Sequence, residues 1–163
     1  MEQNTQIVVL GLGNTLLRDE GVGVRVIEEL QKRYDFSPSV KLIDGGTVGF
    51  GLVTEIEGCK KLLVVDAVKA GNEPGTVYKF KRNDITVQIP QTLSVHNLGF
   101  FEALEHWKML GIEPEVIFFG IEPEDMASWG FDLTPCIQGK MPKLVALVIE
   151  QLRANGITVI EKT

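Results

Sequence analysis

Apolar residues in this chain occur as short unbroken runs separated by longer stretches in which they recur every third or fourth position. Ile7-Val8-Val9-Leu10 is the first run and stops at Gly11, the pattern of a strand buried on both faces of a parallel sheet. From Gly23 to Tyr34, Val24, Val26, Ile27 and Leu30 oppose Arg25, Glu28, Glu29, Lys32 and Arg33, which predicts an amphipathic helix. Pro38 closes the connection. A second strand is expected over Val40 to Ile43, ending at Asp44-Gly45-Gly46, then a glycine-interrupted helix over Val48 to Ile56. Leu62-Leu63-Val64-Val65 is a third buried strand ending at Asp66. The βαβαβ order points to a layered α/β fold.

Beyond the turn cluster Gly71-Asn72-Glu73-Pro74-Gly75, weak alternation over Thr76 to Phe80 fits an edge or antiparallel strand. Residues 81 to 97 show no period and read as an irregular excursion back to the sheet. Leu98 to Leu110 predicts a helix with Leu98, Phe101, Leu104 and Trp107 inward, and Val116 to Phe119 another strand ending at Gly120. Thr134-Pro135 has the form of an N-cap followed by proline at the first helical position, opening a final helix whose stripe of Leu144, Val145, Leu147, Val148 and Leu152 runs towards Gly156.

The 163 residues fit one compact domain spanning 1–163. With 44% hydrophobic and 23% charged residues, a disordered or fibrous chain is excluded. The net charge of −6, without a large basic cluster, argues against nucleic acid and anionic membrane as partners. The apolar runs are too short for a membrane span, and Met-Glu-Gln-Asn-Thr-Gln lacks a secretory n-region. Cys59 and Cys136 belong to no C-x-x-C pair. A reducing, cytoplasmic setting without membrane insertion is the expectation.

Ligands of open α/β sheets bind beyond the carboxyl ends of the strands, and unusual residues collect there. Gly11-Leu12-Gly13 suggests a dinucleotide loop, but Leu16 stands where the fingerprint needs its third glycine, and Asp19 and Glu20 would face the pyrophosphate. Asp19 can be understood as an acid complementing the helix dipole. Glu20, Asp66 and His96, 46 and 30 residues apart, each sit where a loop should open onto one crevice. Two carboxylates and an imidazole suit a borderline first-row divalent ion with positions left open. The bland alternative has Asp66 capping a turn, Glu20 paired with Arg18 or Arg25, and His96 bonded to a carbonyl. Asp44 suits either a turn or a crevice-facing carboxylate and is a secondary site residue. Ser94 and Cys59 lack an evident histidine partner, and His106 reads as a surface residue.

These stretches together resemble the hydrogenase maturation protease family: Val9 to Gly23, Leu42-Ile43-Asp44-Gly45-Gly46-Thr47, Val65-Asp66-Ala67, Ser94-Val95-His96-Asn97-Leu98-Gly99, and Phe119 to Glu124 with Leu133-Thr134-Pro135. The resemblance implies a three-layer α/β/α sandwich around a twisted, mostly parallel five-stranded sheet. It implies an endopeptidase that removes the C-terminal extension of the nickel-loaded large-subunit precursor of a nickel–iron hydrogenase. Glu20, Asp66 and His96 match the family's metal-contacting residues, with the acidic pair here Asp19-Glu20 where some relatives have two aspartates. The nickel would come with the precursor, no nucleotide is expected, and the nucleophile stays unassigned. A non-catalytic nickel-delivery or chaperone protein using the same three ligands is the alternative, and a nucleotide-binding module a weaker one. The loops at 81–93 and 122–133 are natural places for selecting a partner.

Overall fold

The computed structural model describes residues 6–46, 52–82 and 95–163, the side chains of 95–99 excepted. In chain order the elements are β1 (Ile7–Leu12), a 3-10 turn (Arg18–Gly21), α1 (Val22–Arg33), β2 (Tyr34–Ser37), β3 (Lys41–Gly46), α2 (Val53–Ile56), β4 (Lys61–Ala67), β5 (Val77–Lys81), α3 (Val95–Met109), β6 (Glu115–Ile121), α4 (Pro135–Ala154) and β7 (Thr158–Glu161). Five strands form one sheet in the order β3-β1-β4-β6-β5. β3, β1, β4 and β6 pair in parallel, and β5 closes the row antiparallel to β6. The weak alternation of Thr76 to Phe80 thus marks an antiparallel edge strand.

Every residue of β1 is buried, as an unbroken apolar strand requires when helices cover both faces. Val9, Leu63, Val65, Ile117 and Phe119 meet Val22, Val26, Ile27 and Leu30 of α1 and Ile137, Leu144, Val148 and Leu152 of α4 on one face. Val8, Leu10, Leu62, Val64 and Phe118 meet Ile56 of α2 and Phe100, Leu104 and Trp107 of α3 on the other. The alternate residues of each strand therefore feed two separate cores, giving the expected three-layer sandwich.

Several local expectations change. Tyr34 leaves the helix and begins β2, which pairs antiparallel with β7 outside the main sheet. Neither short strand has an apolar run of its own: β2 is half exposed and β7 largely exposed, so periodicity carries little signal for them. Within α3 the inward residues are Phe100, Ala103, Leu104 and Trp107, while Phe101 is only half buried. The side chain of Leu98 lies outside the described residues. The same holds for 47–51 of the helix expected from Val48, leaving α2 as its described part, and for 83–94, which include Ser94. Thr134 does occupy the N-cap position of α4, with Pro135 at its start, but its side chain makes no capping bond.

Candidate active site at the carboxyl ends of the strands

From β1 the chain goes to β3 on one side and later returns to β4 on the other. This reversal is a topological switch point, where connections on opposite faces leave a crevice beyond the strand ends. α1 belongs to one core and α2 to the other. The 3-10 turn bearing Glu20 follows β1 and packs against β4, and Asp66 is the penultimate residue of β4. The two acids flank the switch point.

Two glycines allow the turn to approach so closely. A Cβ on Gly23 would collide with the carbonyl oxygens of Val65 and Leu12, and one on Gly13, at φ +128°, with the carbonyl oxygen of Glu20. Only glycine tolerates both the conformation and the contact at residue 13. The Gly13 N–H donates to the Gly46 carbonyl at 2.8 Å. The glycine loop here serves to seat chain against chain.

Asp66 is 2% exposed, and its Oδ1 accepts the Ala67 N–H at 2.8 Å. Strand alternation places it with Leu62 and Val64 on the α3 face of the sheet. Glu20 is half buried. His96 belongs to the first turn of α3, its imidazole lying outside the described residues. The rings of Phe100 and Phe101 stand 6.1 and 5.3 Å from that of Phe118. One helical turn back from Phe100 covers about 6 Å, and two residues onward along β6, to Gly120, about 6.6 Å. Gly120, two residues beyond Phe118, is the register partner of Asp66, and His96 lies about one helical turn before Phe100. Among the described residues, no group of three His, Cys, Asp or Glu could hold a metal ion.

Asp44 is exposed, and its Oδ1 accepts the Gly46 N–H at 3.0 Å, closing the turn at the end of β3. Its parity with Leu42 puts it on the α1 face, opposite to Asp66. His106 is exposed. Cys59 is buried, donates to the Lys61 carbonyl at 2.9 Å, and has its thiol pKa pushed up by burial. Arg25 pairs with Glu28 at 3.0 Å, and the Arg18 Nε donates to the Asp132 carbonyl at 3.2 Å.

Asp19 has a different role from the dipole partner expected of it. It is completely buried. Its Oδ2 accepts the N–H groups of Glu124 and Asp125 at 3.0 and 2.9 Å and the Thr134 hydroxyl at 2.8 Å, while its Oδ1 accepts the Thr134 N–H at 2.8 Å. One carboxylate thereby clamps the whole 122–134 loop onto the segment that carries Glu20. The Thr134 hydroxyl, spent on Asp19, leaves the helix N-terminus uncapped by its side chain. Glu122, also buried, accepts the N–H groups of Ala70 and Asn72 and the hydrogen of the Tyr78 hydroxyl, fixing the loop after β4.

Fold and site together define a three-layer α/β/α protein whose polar residues gather at the switch point of a mostly parallel sheet. A family model described as hydrogenase maturation protease matches residues 24–151. The chain is 37% identical to the hydrogenase expression/formation protein HupD of Bradyrhizobium diazoefficiens, covering 96% of this chain and 83% of that one. It is 31% identical to the hydrogenase 2 maturation protease of Escherichia coli K12, covering 96% of each. The solved structure of the hydrogenase maturating endopeptidase HybD from E. coli matches with a TM-score of 0.85 at 31% identity, over 96% of this chain and 98% of that one. The chain belongs to the hydrogenase maturation protease family, and its activity is that of an endopeptidase.

Proposed function

We propose that this protease removes the C-terminal extension of the large-subunit precursor of a nickel–iron hydrogenase after nickel has been inserted, with Glu20, Asp66 and His96 engaging that nickel. The observation that carries the reading is the packing of the Glu20 turn against β4 at the switch point, where Asp66 is the penultimate residue of that strand. Zinc held firmly usually has several thiolates or imidazoles and a supporting second shell. Two carboxylates and one imidazole on separate segments form a looser set, suited to completing the coordination of an ion that the precursor's own cysteines bring. Nickel is then part of the substrate, and its presence licenses the cut.

Cleavage needs a water oxygen to attack the scissile carbonyl carbon, a base to take the water proton, and a proton for the departing amine. An ion anchored beside the bond would orient the peptide, and a nearby carboxylate can take and return the proton. The nucleotide reading loses ground because the Gly13 N–H, which a phosphate would need, is already bonded to Gly46. The reading also carries a cytoplasmic compartment, in keeping with free Cys59 and Cys136; among the described residues no helix is long and apolar enough to cross a membrane.

The test presents purified enzyme with nickel-loaded and nickel-free precursor. Cleavage should be confined to the loaded form; equal cleavage of both would discard metal-gated recognition. Asp66→Ala and His96→Ala should each abolish cleavage, and full activity in either would discard the site. In cells lacking the protein, a full-length precursor should accumulate with nickel already bound, whereas a nickel-empty one would mark a delivery protein.

A further inference from the structure

We propose that Leu16, Trp129 and Phe131 form the surface on which the protease docks an apolar, basically flanked segment of its precursor substrate, next to the cut. The proposal rests on the reading of the Glu20–Asp66 region as the active site. Trp129 is 80% exposed, Phe131 67% and Leu16 41%. Single exposed apolar residues are ordinary; adjoining ones on a fixed frame mark an interaction surface.

The frame here is fixed. Gly130, between the two aromatics, donates its N–H to the Leu16 carbonyl at 2.9 Å, and its carbonyl accepts the Arg18 N–H at 3.0 Å. This two-bond bridge joins the aromatic loop to the segment that reaches Glu20 two residues later. The Arg25 guanidinium donates to the Phe131 carbonyl at 2.7 Å, and buried Asp19 holds the loop at both ends. With the backbone under both rings already fixed, a partner has only their side-chain rotamers left to order, which makes exposed aromatics on such a frame effective anchors.

The occupant follows from the activity and the charge. An endopeptidase binds a polypeptide, and a polypeptide extending from a bond held at the switch point runs over its rim. Arg18, packed on Gly130 with its Nε on the Asp132 carbonyl, and Arg25, on the Phe131 carbonyl, both keep their charge, and the acids of this stretch, Glu124, Asp125 and Asp132 with Glu28 paired to Arg25, outnumber them four to two. An apolar stretch flanked by lysine or arginine complements such a rim.

The test uses the full chain and immobilised nickel-loaded precursor. Trp129→Ala with Phe131→Ala should weaken binding about tenfold or more, and Trp129→Phe should recover much of the loss. Met109→Ala with Leu110→Ala alters an equally exposed apolar pair at the far end of α3 and should leave affinity unchanged. Equal affinity in all variants would overturn the proposal. So would a dimer of the unaltered chain that the aromatic double variant abolishes while precursor affinity holds, because the patch would then serve a second copy. Thermal melting checks that each variant is folded, with Trp129→Ala alone as the milder change. If the unaltered chain binds the precursor without cutting it, the cleavage reading falls, and the affinity ratio still decides for or against the patch.

Discussion

Asp19→Ala and Asp19→Asn test the clamp that joins the two halves of the site. The alanine variant leaves the N–H groups of Glu124, Asp125 and Thr134 facing a void. Each buried donor left unpaired costs about 1–3 kcal/mol. Water entering the gap and relief from burying a charge offset part of the total, so the net loss should be about 3–5 kcal/mol. Asparagine keeps the shape, but both carboxylate oxygens face N–H donors. The better amide orientation points its NH2 at Thr134, where the hydroxyl can turn to accept but the Thr134 N–H then meets another donor. The two remaining bonds lose their charge assistance, giving about 1.5–3 kcal/mol. Urea unfolding followed by far-UV circular dichroism reads both; with a slope of about 2 kcal/mol per molar, the alanine midpoint should fall by about 2 M. Amide exchange should rise first at Glu124, Asp125 and Thr134. An Asp19→Asn midpoint indistinguishable from that of the unaltered chain would refute the clamp.

Thr134→Val keeps the Thr134 N–H bond but removes the hydroxyl that donates to Asp19 at 2.8 Å, and should cost about 1.5–3 kcal/mol by the same urea assay. Gly23→Ala drives a methyl group into the Val65 and Leu12 carbonyls; it should cost about 3 kcal/mol or more and reduce cleavage, because the Glu20 turn must lift away from β4. Gly139→Ala in α4, where an added methyl meets nothing, should instead stabilise by about 0.5–1 kcal/mol in thermal melts. Burial raises the Cys59 pKa, so above the ordinary thiol value the unfolded chain loses its proton first and the folded chain binds more protons. Stability should therefore fall as pH rises through that value towards the folded pKa; Cys59→Ala should flatten the alkaline limb of midpoint against pH, and an unchanged limb would count against a buried neutral thiol.

β1, β4 and β6 were legible because each is buried on both faces, and that condition writes itself as an uninterrupted apolar run at Ile7, Leu62 and Val116; β3, at the sheet edge and only partly buried, shows just the short run up to Ile43 before Asp44. β2 and β7 were not, since a half-exposed pair of short strands imposes no such condition on Tyr34 to Ser37 or Thr158 to Glu161. The switch point was legible in outline, because residues of unusual chemistry follow the strand runs directly. What sequence spacing cannot distinguish is the fate of two adjacent acids. Asp19 reads as a helix-dipole partner and Glu20 as a site residue, yet Asp19 is sealed inside while Glu20 stands half exposed. The difference is made by donors more than a hundred residues downstream, at Glu124, Asp125 and Thr134. A buried carboxylate persists only where N–H and O–H groups replace its water, so the faint signal available was Thr134-Pro135 itself, a helix start bringing a free N–H and a hydroxyl in need of an acceptor. The same pairing carries Trp129 and Phe131 to the rim. Asp19 therefore acts on the substrate only through the loop it holds: Asp19→Asn should weaken precursor binding in proportion to the loosening of the Glu124 and Thr134 amides, while Trp129→Phe with Asp19 intact should leave those amides protected.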